Sequence, residues 1–144
     1  MSSGGGDEAF GARLSSLLNE SAVASTIGIA HKTGLLGAMI ERAGTSHTAA
    51  EWSQASGVSE RYVAEMFGVL VSGKVVDMTT AGDGGGGGGG KRESFSLPDA
   101  RAQALKGMGV YFQELPILHA CAFNQLCEAA KVIPKSHESC RAGP

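Results

Sequence analysis

Apolar residues begin to recur at helical intervals near the start of the chain: Phe10, Leu14, Leu17, Leu18, Val23, Ile27 and Ile29. That spacing predicts a helix from Asp7 onward, with Asp7 and Glu8 suited to the positive end of its dipole. Its second half, Ser21 to Ala30, is small or apolar nearly all round, so it is expected to be buried on more than one side. A partner chain and a central place in the domain's own core are both sources of that burial.

The chain then turns at Thr33-Gly34 into a second helix, Leu35 to Arg42, ended by Gly44. Thr48-Ala49-Ala50-Glu51 has the form of a capping box and opens a third helix that turns Ala49, Trp52 and Ala55 inward and stops at Gly57. Ser59 is the expected cap of a fourth, whose apolar positions are Tyr62, Val63, Met66, Phe67, Leu70 and Val71. Two helices joined by a tight glycine turn are a helix-turn-helix. Lys74 to Thr79 and Glu93 to Leu97 read as strands, and a hairpin directly after a helix-turn-helix is a wing. The expected fold is therefore mainly α: a winged helix-turn-helix with flanking N- and C-terminal helices.

Between the strands lies an uninterrupted run, Gly84 to Gly90. No buried side chain offsets its ordering entropy, so it is expected to be a disordered wing tip, which loop closure tolerates at small cost. From Asp99 to Lys131 the pattern is helical again, with Leu105, Met108, Phe112, Leu115, Leu118, Phe123 and Leu126 as its apolar set, and Pro116 is expected to break or bend it. The resulting division is a flexible lead over 1–6, a winged-helix domain over 7–98 with the glycine tip at 84–90, a helical extension over 99–131, and an unstructured tail over 132–144.

Composition narrows the function classes. The 144 residues suit one domain. Twelve Lys+Arg against 14 Asp+Glu leave a net charge of −2, so no overall field draws nucleic acid or an acidic membrane. Cys121, Cys127 and Cys140 are three, too few and odd in number for a disulfide framework, and read as reduced thiols. The start of the chain has no basic and apolar leader, and the uncharged stretch Ser21 to Ala30 is about half a membrane span. A cytoplasmic protein is expected.

Three blocks together resemble a known family. They are Ala30-His31-Lys32-Thr33-Gly34-Leu35-Leu36, then Gly57 to Glu65, then Val69 to Val76. In sequence and spacing they are similar to the N-terminal winged-helix domain of certain class I S-adenosylmethionine-dependent methyltransferases, bacterial and animal. The likeness runs from about Phe10 to Leu97 and more weakly to Glu128. It implies a domain that packs beside a Rossmann-like catalytic domain, supports dimerisation and helps wall the acceptor pocket. The strand and glycine-rich turn that hold the cofactor in that family have no counterpart before Pro144. The expectation is a truncated, inactive form with no catalytic, cofactor-binding or metal residue and no cofactor of its own, forming a homodimer through its N-terminal helices.

Other chemical signals have plainer readings. The glycine run contains G-x-G-x-x-G, but a cofactor loop needs an apolar strand before it and a helix after it. Here Thr79 to Asp83 precede it and the charged Lys91-Arg92-Glu93 follows. His119, Cys121 and Cys127 lack the ligand count and spacing of structural zinc, and the cysteines are expected to be buried or half-buried thiols. His31, weighed as an acceptor-pocket group or a general base, is expected to serve structure at a helix end. His47 is expected to be solvated.

The alternative function is a small winged-helix DNA-binding transcriptional regulator. A recognition surface must be basic, yet from Thr45 to Leu97 the bases Arg61, Lys74, Lys91 and Arg92 are outnumbered by Glu51, Glu60, Glu65, Asp77, Asp83 and Glu93. Arg61 and Glu65 are spaced to pair with each other. Strong nucleic-acid binding is not expected.

Overall fold

The computed structural model describes residues 4–81 and 92–131. Five helices and three short strands follow in the order α1 Gly4–Lys32, α2 Leu35–Glu41, β1 Ser46–His47, α3 Ala49–Ser56, α4 Glu60–Ser72, β2 Asp77–Ala81, β3 Arg92–Ser96 and α5 Asp99–Lys131. This is a winged helix-turn-helix flanked by two long helices. The glycine run and the tail over 132–144 lie outside the described residues. The lead expected over 1–6 is shorter, since α1 already includes Gly4.

The turn between α3 and α4 is built as the sequence implies. Thr48 Oγ1 accepts from the Glu51 amide at 3.3 Å, while the Glu51 carboxylate accepts from the Thr48 amide at 2.7 Å, closing the capping box. Gly57 ends α3 with φ 73°, in the left-handed region where a side chain is strained. Ser59 stands at the N-cap of α4, but its side chain makes no capping bond, contrary to expectation. Ser53 instead closes the turn, its Oγ donating to the Val58 carbonyl at 2.6 Å.

The end of α4 differs from the expected strand start at Lys74. The Lys74 amide donates to the Val71 carbonyl and the Val75 amide to the Leu70 carbonyl, the reciprocal pair of a Schellman cap. Lys74 takes the left-handed position, φ 57°, although Gly73 is its neighbour. Packing explains the order: a methyl group at position 73 would sit 2.6 Å from Val23 of α1, so the glycine goes where α1 needs room. Strand β2 therefore starts only at Asp77.

The sheet has the order β1-β3-β2, all antiparallel. The hairpin pairs Asp77 with Ser96 and Ala81 with Arg92. Strand β1, two residues long and not anticipated from sequence, pairs His47 with Phe95 and ties the loop after α2 to the wing. Trp52 is fully buried, its Nε1 donating to the Phe95 carbonyl at 3.0 Å. Phe95 stacks on Phe67 at 4.4 Å between centroids. Around this trio lie Leu35, Leu36, Met39, Val63, Met66, Leu70, Val76 and Leu97, joined by Ile27 and Ala30 from the end of α1. Tyr62, expected among the inward set of α4, is exposed. It falls beside the stripe defined by Val63, Met66, Phe67 and Leu70.

Helices α1 and α5 lie antiparallel: His31 meets Gly109 and Gln113, while Ser21 and Ala24 share a pocket with Pro116 and His119. Pro116 does not break α5, which is continuous from Asp99 to Lys131. Proline has no N–H for the carbonyl four residues back, which is that of Phe112. Gly28 of α1 packs directly on that oxygen, and its lack of a side chain lets α1 cover it. A second tie anchors the start of α5, where Arg101 Nη1 reaches Asp77 Oδ1 at 2.6 Å.

Candidate functional site

Two surfaces could carry function. The first is the helix-turn-helix face with its wing. Glu60, Arg61, Ala64, Glu65 and Gly68 of α4 are all exposed. Arg61 Nε bonds Glu65 Oε1 at 3.0 Å, so the basic group nearest the start of this helix is already matched by a carboxylate on the same face. Between α4 and the hairpin runs a groove of about 520 Å³, with Ala49 and Ala50 at one end, Ala64 and Gly68 along α4, and Met78 and Arg92 on the wing. Small side chains leave this space open. The charges around it are mixed, Glu60 and Glu93 beside Arg92.

The second surface is the α1/α5 arm. Phe10 is 61% exposed, Leu18 73%, Tyr111 66% and Leu118 60%, and Leu14, Leu17, Ile29, Met108, Val110, Leu115 and Ile117 are also exposed. Sequence periodicity identified most of these as apolar helix positions, and only for Ser21 to Ala30 did it leave open whether the domain or a partner supplies the burial. The structure separates them. Val23 and Ile27 on α1, and Leu105 and Phe112 on α5, pack onto the core, whereas the others stay largely exposed, Leu115 bordering a pocket with Ser21, Ala24 and Ser25 of α1. The expected burial of Ser21 to Ala30 holds for Thr26 to Gly28 and Ala30, but Ser21, Ala22, Ser25 and Ile29 are exposed. A cavity of about 630 Å³ opens where α1 meets α4, floored by Val23, Ile27, Val69 and Phe112, with Ser16, Asn19, Glu20 and Ser72 at its polar rim.

The histidines and thiols weighed from sequence fall in separate places. His31 is half-buried in the last turn of α1, and its Nδ1 lies 2.7 Å from Gln113 Oε1. It thus joins α1 to α5 through a side chain rather than a helix-end carbonyl. Gly109 makes room for its ring. His47 is not fully solvated: it is half-buried on β1, edge-on to Trp52 at 4.9 Å, with Nε2 3.0 Å from Thr45 Oγ1. Cys127 is exposed, against the expectation of a buried or half-buried thiol; the side chain of Cys121, and Cys140, lie outside the description. His119 is exposed on α5. Among the described residues no three His, Cys, Asp or Glu side chains gather as a metal site.

The Thr48 amide, and next the Thr48 hydroxyl, donate to the Glu51 carboxylate and hold its pKa below the usual glutamate value. That perturbation belongs to a helix cap, not to acid–base chemistry.

No single helix among the described residues is long and apolar enough to cross a membrane. None of the curated proteins matches the chain significantly. The profile of one family, the Rv2258c-like winged HTH domain, matches residues 21–106. That span runs from the covered half of α1 through the wing into the anchored start of α5, more than half of the chain, and on this basis the chain belongs to the Rv2258c-like winged HTH domain family.

Proposed function

We propose that this chain is a non-catalytic interaction module. It resembles the winged-helix domain that stands in front of the catalytic domain in S-adenosylmethionine-dependent methyltransferases, pairing two copies through the N-terminal helices and walling an acceptor pocket. The observation that carries this reading is the first half of α1, where Phe10, Leu14, Leu17 and Leu18 are all exposed. Contiguous exposed apolar area of this kind marks an interaction surface. The strands on either side of the glycine run, β2 and β3, form an antiparallel pair, whereas the glycine turn of a nucleoside site joins a strand to a helix.

Analytical ultracentrifugation at micromolar concentration is expected to give twice the 14.7 kDa chain mass. Titration calorimetry with S-adenosylmethionine is expected to show no binding. A clean monomer removes the pairing, and measurable cofactor affinity removes the non-catalytic reading. A winged helix is also a DNA-binding fold, but recognition needs free cations on the reading helix, and Arg61 on α4 is engaged with Glu65. A mobility shift on random duplex DNA at low salt would reinstate that alternative.

A further inference from the structure

We propose that the cavity where α1 meets α4 binds a small amphipathic amine, its apolar body between the helices and its ammonium group at Glu20. The inference does not depend on the pairing of two copies. The cavity measures about 630 Å³, within the roughly 300–1,000 Å³ of small-molecule sites, which are mostly apolar with a few polar groups that fix orientation. Two close contacts set its shape. Val23 of α1 fills the space beside Gly73 of α4, where an added methyl group would lie 2.6 Å away. Gly28 of α1 lies against the Phe112 carbonyl of α5. Val23, Gly73 and Phe112 all line the cavity, so its walls belong to three helices that are pinned to one another.

The rim selects the head group of the ligand. Among the described residues Glu20 is the one charged group that lines the cavity. It is paired with no cation among them, Arg13 two turns back on α1 included. Both rim hydroxyls use their protons inside the protein: Ser16 Oγ donates to Glu20 Oε1 at 2.9 Å, and Ser72 Oγ donates to the Val69 carbonyl at 2.8 Å. What they offer a ligand is lone pairs. Together with the second Glu20 oxygen they make the rim a set of acceptors carrying one negative charge. A primary ammonium is its complement, with three N–H donors, no acceptor and a positive charge that it keeps at neutral pH as lysine does. A carboxylate or phosphate head would meet acceptors and like charge instead. Asn19, whose amide both donates and accepts, favours neither. The floor of Val23, Ile27, Val69 and Phe112 suits an alkyl or aryl body.

The test titrates the full, isotope-labelled chain at neutral pH and low salt with n-octylammonium, n-octanol and octanoate, which share a tail and differ in head group. Amide chemical shifts are expected to move at Asn19, Glu20, Val69, Ser72 and Gly73. The amine should bind about fivefold more tightly than the alcohol, the upper end for an exposed ion pair, and octanoate should bind most weakly. Glu20→Gln should erase the advantage of the amine and leave the affinity for the alcohol unchanged. Val69→Phe should fill the cavity and abolish binding of both. Fluorescence of buried Trp52 reports whether that variant is folded; if it is not, Ala22→Phe, on the exposed side of α1, fills the same space. Absence of binding by all three probes overturns the proposal and leaves the cavity to solvent or a second copy. So do shifts confined to the exposed apolar residues from Phe10 to Leu18. Octanol or octanoate bound as tightly as the amine overturns the ligand class, and a preference for the amine that survives Glu20→Gln overturns the role of Glu20.

Discussion

The winged core and the helical arm contain similar amounts of apolar sequence and treat it in opposite ways. From Leu35 to Leu97 the large apolar side chains converge on Trp52, Phe67 and Phe95, and only Tyr62 and Met78 are exposed among the described residues. The arm carries the other eleven exposed large hydrophobics. The difference follows from geometry. Three short helices and a three-stranded sheet surround a point, so each element finds neighbours on several sides. Two long antiparallel helices meet along one line, and every apolar residue off that line faces outward. The compact centre therefore covers its own apolar side chains, while the arm leaves many of its own exposed.

The winged core depends most on Trp52. Truncation to Ala removes the fully buried indole and leaves the Phe95 carbonyl without its 3.0 Å donor. The expected loss is about 3–5 kcal/mol, measured by urea denaturation followed by circular dichroism. An unchanged midpoint would mean that the centre of the core lies elsewhere. The next effect belongs to the arm. Gly28→Ala forces a methyl group onto the Phe112 carbonyl oxygen, a backbone atom that cannot swing aside. A loss of about 1–3 kcal/mol is expected from overpacking. Hydrogen exchange should localise it, with faster exchange in α1 and α5 and protection retained in α3 and α4. Uniform loss across the chain would show that arm and core unfold as one unit and differ only in their surfaces.

Much of the core was legible because local rules and tertiary packing agree there. Thr48 and Glu51 form the capping box that their spacing implies, Gly57 takes the left-handed turn, and Trp52 faces inward. What sequence did not show depends on contacts between distant segments. Strand β1 exists because His47 lies opposite Phe95, and two residues carry no periodicity. The left-handed Lys74 follows from Val23 occupying the space beside Gly73. Pro116 was expected to break or bend α5 by its chemistry alone; it does not break the helix, and Gly28 of α1 covers the carbonyl it leaves unpaired. On the arm, periodicity marked Met108, Phe112, Leu115 and Leu118 as one apolar set. Only the position of α1 divides them into Phe112, which is half-buried against the core, and the other three, which are exposed.

The smallest expected effect is local to the core's surface and sharpens the contrast by its pH dependence. Thr48→Ala removes the cap hydroxyl of α3 and should cost about 1 kcal/mol. Glu51→Ala removes the carboxylate that accepts from the Thr48 amide. Because the folded state lowers the Glu51 pKa, the ionised carboxylate contributes stability that is complete above the ordinary glutamate value of about 4.3. That contribution is lost as pH falls through the lower folded value. The gap between wild type and Glu51→Ala should therefore be widest near neutrality and close below about pH 4. Sedimentation of the same variant should be unchanged at every pH, since α3 lies in the core and the apolar surfaces proposed to pair lie on the arm. A stability gap that stays constant from neutral to acid conditions would mean that the Thr48–Glu51 bond holds no charge in solution. A shift in association would mean that the paired surface extends to the helix-turn-helix face.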